Sequence, residues 1–274
     1  MDFKTLATGL GFTEGPTALE DGTLWVTSID HGVLYHLDPS GETIEVIEIG
    51  GRPNGLTVDD AGVLYITQAG DDTTTAGIQR VEGGQVSHIA TGLDQPNDLC
   101  FGPDGRLYFT DPRKVPNILD RTSAPAGRLY ACDRDGGKMD LVHEGILFPN
   151  GLAFGPGGDI LYVAETATPH RIFQASMDSG QLGEPAALAV LDAGVPDGIA
   201  VDDTGNLWVA AVRGTSVQVF DADGQLVRKL DCGEGSRPTN LCFGLHQKLL
   251  YVTDAGRGGV LTFDVDVRGV ALYG

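Results

Sequence analysis

The chain has 274 residues and carries 38 Asp or Glu against 18 Lys or Arg, a formal net charge of −20 at pH 7. That balance speaks against binding nucleic acid or an acidic membrane face, and it raises the local concentration of cations. Glycine supplies 40 residues, spread over turns rather than gathered in a low-complexity run, and no apolar stretch is long enough to cross a bilayer.

The first segment, MDFKTLATGLGF, lacks a basic region followed by an apolar core, so no signal peptide is expected. Within it, Phe3–Thr8 reads as a strand with no unit before it. A full unit follows. GPTAL, TLWVTSI, GVLYHLD and TIEVIEI read as four strands, rich in β-branched or aromatic residues after the first. EDG, DH and PSGE supply the turns between them. The same order recurs at RPNGLTVDDAGVLYIT, QPNDLCFGPDGRLYFT, FPNGLAFGPGGDILYVA, VPDGIAVDDTGNLWVA and RPTNLCFGLHQKLLYVT. A period of roughly 40–50 residues of all-strand pattern marks a propeller. The expected fold is all-β: a single domain over 1–274, a six-bladed β-propeller of four-stranded antiparallel blades. The sixth unit, Asn240–Val265, holds only three clear strands, and the N-terminal strand is expected to complete it and close the ring. The tail Arg268–Gly274 reads either as an extra edge strand or as a packed cap. The four cysteines include no CxxC. Cys100 and Cys242 share an offset in repeats three and six, across the ring and beyond disulfide reach, so reduced cysteines and a cytoplasmic protein are expected.

Aligned on the first strand, one column holds Glu14, Asn54, Asn97, Asn150, Asp197 and Thr239. Asn and Asp before Gly are ordinary turn formers, and Pro-Asn-Gly is a turn signal by itself. Six oxygen-bearing residues at one offset are not, and Glu14 before Gly-Pro has no good turn role. If the ring closes, the column converges on one axis. Oxygen-rich convergence without Cys or His suits a hard cation rather than structural zinc. The loops around His31, Ala69–Gly77, Asp111–Gly127, Glu165–His170, Arg213–Thr215 and Asp254–Gly258 should lie on the same face. Asp111–Gly127 is the longest and reads as a lid or substrate wall. The Asp-Gly turns lack the full calcium-loop pattern and read as hairpin turns. Trp25, Tyr65, Tyr108, Tyr162, Trp208 and Tyr251 share a repeat position and read as blade packing. No nucleophile elbow or phosphate loop is present.

EGP at 14–16, PND at 96–98 with YFTDP at 108–112, PNG at 149–151 and PDG at 196–198 resemble the senescence-marker-protein/gluconolactonase/luciferin-regenerating-enzyme family over the whole chain. The resemblance implies one divalent metal in the central channel, held by Glu14, Asn150 and Asp197. Calcium is the first choice, with zinc, manganese, magnesium or iron as alternatives. It also implies that Asp197 is the catalytic acid/base and that Asn97 contacts substrate or completes the metal shell. Gln95 stands where the animal branch has a substrate-binding Arg, so the bacterial gluconolactonase branch fits better. The expected activity is metal-assisted opening of a sugar acid lactone such as gluconolactone. The metal would polarise the carbonyl, while Asn97, Asn54 and Arg113 hold the substrate. A monomer or weak homo-oligomer acting on a small molecule is expected. The alternatives are an organophosphate-cleaving propeller using Glu14, Asn97, Asn150 and Asp197, or a non-enzymatic scaffold.

Overall fold

The computed structural model describes residues 2–114, 125–270 and 273, and every regular element among them is a β-strand. Among the described residues no helix is long and apolar enough to cross a membrane. The strands form six antiparallel sheets. The first blade pairs Thr13–Ala18, Leu24–Ser28, Val33–Leu37 and Thr43–Glu48 in that order, and the second Pro53–Val58, Leu64–Gln68, Gly77–Glu82 and Gln85–Thr91. The third pairs Leu99–Phe101, Leu107–Asp111, Ala126–Cys132 and Met139–Leu147. The fourth pairs Pro149–Phe154, Ile160–Glu165 and Arg171–Asp178, and Arg171–Asp178 pairs in turn with both Gln181–Leu182 and Ala186–Val190. The fifth pairs Val195–Val201, Leu207–Val212, Ser216–Phe220 and Leu226–Asp231. The sixth pairs Pro238–Phe243, Leu249–Asp254 and Gly259–Asp264, and its outer strand is the N-terminal Phe3–Ala7. Phe3 faces Phe263 and Thr5 faces Leu261 across this seam. The two ends of the chain thus share one sheet, which closes the ring.

The first strand of each blade packs on that of the next, around all six positions. The apolar core is accordingly divided by seams. Trp25, Leu34, Leu56 and Ile66 fill the seam between the first two blades, and Val217, Val219, Leu250 and Val252 that between the last two. The repeated aromatics belong to these seams. Tyr65 meets Phe101, Tyr108 meets Phe154 and Trp208 meets Phe243, each edge-on with centroids 5.2–5.4 Å apart. Their polar atoms are capped by the Asp of the first turn. Tyr65 Oη donates to Asp59, Tyr108 Oη to Asp104, and Trp208 Nε1 to Asp202. The same Asp side chains accept backbone N–H groups within their own turns. This is the chemistry of a hairpin turn, as expected.

Of the tail, residues 271, 272 and 274 lie outside the described residues, and the remainder forms a cap rather than an extra strand of a blade. Asp203 N–H donates to the Arg268 carbonyl, Asp203 Oδ1 accepts the Arg268 N–H, Val270 N–H donates to the Val201 carbonyl, and Tyr273 packs edge-on against Phe154. It therefore crosses the end of the channel where the first strands finish. Of the loop Asp111–Gly127 that was expected to wall the opposite face, residues 115–124 lie outside the described residues.

Candidate functional site at the channel axis

The polar column sits on a repeated irregularity. Register slips between Glu14 and Thr17, Pro53 and Leu56, Pro149 and Leu152, Pro196 and Ile199, and Pro238 and Asn240. A bulge bends its strand and re-aims a side chain, which is why bulges gather at sites. Threonines of the second strands then pin the column across the seams. Thr27 Oγ1 donates to the Asn54 carbonyl at 2.6 Å, Thr67 to that of Asn97 at 2.5 Å and Thr110 to that of Asn150 at 2.8 Å. Ala164 and Ala210 break the series. Thr166 replaces the missing hydroxyl by donating to the Pro196 carbonyl at 2.8 Å. Each such buried bond contributes about 1 kcal/mol net and fixes one blade's site residue against its neighbour.

A second polar column closes the second strands. Gln68 accepts the Arg52 N–H, Asp111 that of Gln95, Glu165 that of Leu147, and Asp254 that of Arg237. Three of these four are buried carboxylates, each facing an arginine: Arg128, Arg171 and Arg257. They clamp the chain just before the site residues and are accounted for by that role.

At the axis, the position after the column decides the geometry. It is glycine in four repeats (Gly15, Gly55, Gly151 and Gly198) and a side chain in two, Asp98 and Asn240. A Cβ on Gly55 would lie 2.4 Å from Asp98 Oδ1, and one on Gly198 2.1 Å from Asn240 Oδ1. The glycines thus vacate the axis and two side chains from opposite blades fill it. Asn240 Nδ2 donates to Asp98 Oδ2 at 3.4 Å. Asp98 Oδ1 further accepts the Leu99 N–H at 2.9 Å.

Carboxylates therefore converge. Glu14 is only 3% exposed, and its carboxyl is held well above the usual range, first by burial and then by the charges of Asp197 and Asp98. Burial likewise pushes Asp98 up to about 7, against the hydrogen bonds from Leu99, Asn240 and Leu152. Asn97 and Asn150 are buried, whereas Asp197 and Asn54 are part-exposed. Asn54 Oδ1 is nonetheless shielded from solvent and accepts no hydrogen bond. Thr239 turns to the seam, where its hydroxyl donates to the Thr13 carbonyl at 2.7 Å. Arg113 is engaged at the rim, with Nη2 2.9 Å from Glu144 and Nε 3.7 Å from Asp94.

These donors suit a hard cation. Acid side chains from three blades, Glu14, Asp98 and Asp197, act on one another at the axis, and an orphaned amide oxygen stands among the column residues. Among the described residues no three His, Cys, Asp or Glu side chains are grouped closely enough to hold a metal alone. Amide oxygens would have to complete the shell. Asp98 and Asn240 were missed from the sequence. Their signal was present in the column beside the obvious one, as the two exceptions to glycine.

Below Asp98 and Asn240 the channel opens into a cavity of about 160 Å³. Its wall is mainly apolar, with Ala153, Ala200, Phe101, Cys100 and Cys242 on it and the tail residues Val270 and Tyr273 across its end. All four cysteines are free. Glu14, Asn97, Asn150 and Asp197 do not line this cavity, so the polar chemistry belongs to the opposite mouth.

Residues 12–256 match the family model described as SMP-30/Gluconolactonase/LRE-like region. A gluconolactonase of Zymomonas mobilis is 29% identical, with 91% of this chain and 78% of the relative covered. A pentonolactonase of Haloferax volcanii is 27% identical, with 93% and 86% covered. Among solved structures, a gluconolactonase of Xanthomonas campestris superposes with a TM-score of 0.81 at 27% identity, over 97% of this chain and 89% of the other.

Proposed function

Because this chain belongs to the SMP-30/gluconolactonase/LRE-like family, we propose that it hydrolyses lactones, with a sugar acid lactone such as gluconolactone as substrate. The observation that carries this reading is the meeting of Glu14, Asp98 and Asp197, from three different blades, at one end of the channel. A scaffold has no use for acids brought together at its axis. The names of the gluconolactonase and pentonolactonase relatives point the same way.

In this reading Glu14, Asn150 and Asp197 hold one divalent cation, calcium by preference, with Asn97 at the edge of the shell. When bound, the ion supplies Lewis-acid polarisation of a carbonyl and charge stabilisation of the developing oxyanion. The remaining work falls to the side chains. Asp197, more exposed than Glu14, is the acid that water and substrate can reach. It takes a proton from the attacking water as the new carbon–oxygen bond forms. It returns that proton to the ring oxygen as the ring carbon–oxygen bond breaks, so the product is a hydroxy acid. Asn97 and Asn54 orient the substrate, and the free Asn54 Oδ1 is an acceptor suited to a sugar hydroxyl. The cluster Arg113, Asp94 and Glu144 shapes the rim.

The test is acid release in weak buffer, followed with an indicator dye, over a panel of aldonolactones, simple alkyl lactones and a phosphotriester. Turnover of aldonolactones above the spontaneous rate, lost with EDTA and restored by calcium, is the expected result. Acid release from the phosphotriester alone would assign the site to organophosphate cleavage. No release from any substrate, with no metal in the purified protein, would leave only the scaffold.

A further inference from the structure

The cavity beneath the axis takes no part in the chemistry above. Its origin is visible in the repeat. Three residues after each member of the polar column stands a small side chain, Thr17, Thr57, Cys100, Ala153, Ala200 or Cys242, and all six line the cavity. None is long enough to fill the interior of the ring, so a space of about 160 Å³ remains there. An apolar cavity of about 150 Å³ accepts benzene. One end of this space is polar. Asp98 Oδ1 accepts the N–H of Leu99 at 2.9 Å and Asn240 Oδ1 that of Leu241 at 2.8 Å, which leaves Asp98 Oδ2 and Asn240 Nδ2 toward each other. They stand 3.4 Å apart, longer than an ordinary N–H···O bond. Both residues are buried, each 6% exposed. On the wall, Thr57 is also 6% exposed, and its hydroxyl makes no hydrogen bond among the described residues. A buried hydroxyl without a partner is costly, and it points to a partner from outside the chain.

We propose that this cavity is a second ligand site, separate from the polar mouth, for a small neutral ring compound with a single hydroxyl, of the size of phenol or cyclohexanol. The ligand hydroxyl donates to Asp98 Oδ2 and accepts from Asn240 Nδ2, replacing one long bond with two ordinary ones. Its ring lies against Ala153, Ala200, Cys100 and Cys242, and Thr57 offers a further polar contact on the wall. An anion is excluded by the acid at the polar end and by a wall that cannot solvate it. A sugar lactone is excluded too, since most of its hydroxyls would meet carbon. The site therefore takes a different class of molecule from the mouth, and it does not depend on the cation reading.

Titration calorimetry and thermal melts of EDTA-treated protein test this with phenol, cyclohexanol, benzene and benzoate. Phenol and cyclohexanol should bind saturably at one site per chain and raise the melting temperature, and benzoate should do neither. A wholly apolar cavity would prefer benzene, because phenol gives up more hydration on entry. Tighter binding of phenol than of benzene therefore reads the polar end. Ala153→Leu and Ala200→Leu fill the space and should each weaken phenol at least tenfold, with Cys242→Met as the substitute if neither folds. Equal or tighter binding of benzene overturns the proposal, as does a phenol affinity within twofold of wild type in the filled variants. A cavity that holds water alone would give no saturable heat and no thermal gain with any of the four compounds, and that result overturns it as well.

Discussion

Substituting Gly198 by alanine adds a single methyl group, yet the structure assigns it a large effect. The new Cβ would lie 2.1 Å from Asn240 Oδ1, 2.2 Å from its Cγ and 2.6 Å from its Cα. Because the last of these is backbone, rotating the Asn240 side chain cannot clear the clash, and the first strands of the fifth and sixth blades must separate. Overpacking of this kind costs about 1–3 kcal/mol. Losing the Asn240 bonds to Asp98 and Leu241 adds about 1 kcal/mol each. A total of about 3–5 kcal/mol corresponds to a fall in melting temperature of roughly 10 °C for a protein of this size. Gly62 provides the control. Its φ is +79° and nothing lies within 4 Å of an added Cβ, so Gly62→Ala incurs backbone strain alone, about 1–2 kcal/mol. Thermal denaturation followed by circular dichroism, in EDTA and in calcium, compares the two. If Gly198→Ala is no more destabilising than Gly62→Ala, the claim that the glycines make room for the axial pair is wrong.

Two further outcomes are expected. Asp98 is buried and its carboxyl lies near 7 rather than 3.8, so between those values the folded state keeps a proton that the unfolded chain releases. The stability of metal-free protein is therefore greatest below about pH 4 with respect to this group, falls as pH rises through 7, and levels off above. Between pH 5 and 8 the loss is on the order of 2 kcal/mol, and Glu14 adds to it in the same sense. Asp98→Asn should remove the Asp98 share, which urea melts in EDTA would read; an unaltered pH slope would refute it. Asp197→Asn should retain the wild-type circular dichroism spectrum and lose at least 100-fold in lactone turnover. Near-normal turnover in that variant would remove Asp197 as the acid/base.

Much of the architecture was legible because its determinants are local. The turn Asp that binds both its own backbone and the following aromatic, the Pro-Asn-Gly starts and the alternating strands repeat at one period. The orphan strand at Phe3 has one vacancy to fill, beside Gly259–Asp264. The site was legible in part. The column of Glu14, Asn97, Asn150 and Asp197 was visible as a repeated polar offset. Thr239 shares that offset yet bonds within the seam. Arg113, a candidate from its loop position, is engaged by acids contributed from other segments. An offset says which residues are equivalent, not which way a bulge turns each of them.

The sequence by itself determined the repeating unit, the number of blades, the closing strand and the oxygen-bearing column, since these follow from periodicity and from turn chemistry within a few residues. Only the tertiary structure decided what stands on the axis. Asp98 and Asn240 are 142 residues apart and come from opposite blades, so they meet only after the ring has closed. The space in which they meet is left by glycines of the other four repeats. Burial then gives Glu14 and Asp98 their altered acidity, because the desolvation of a carboxylate depends on everything the folded chain packs around it.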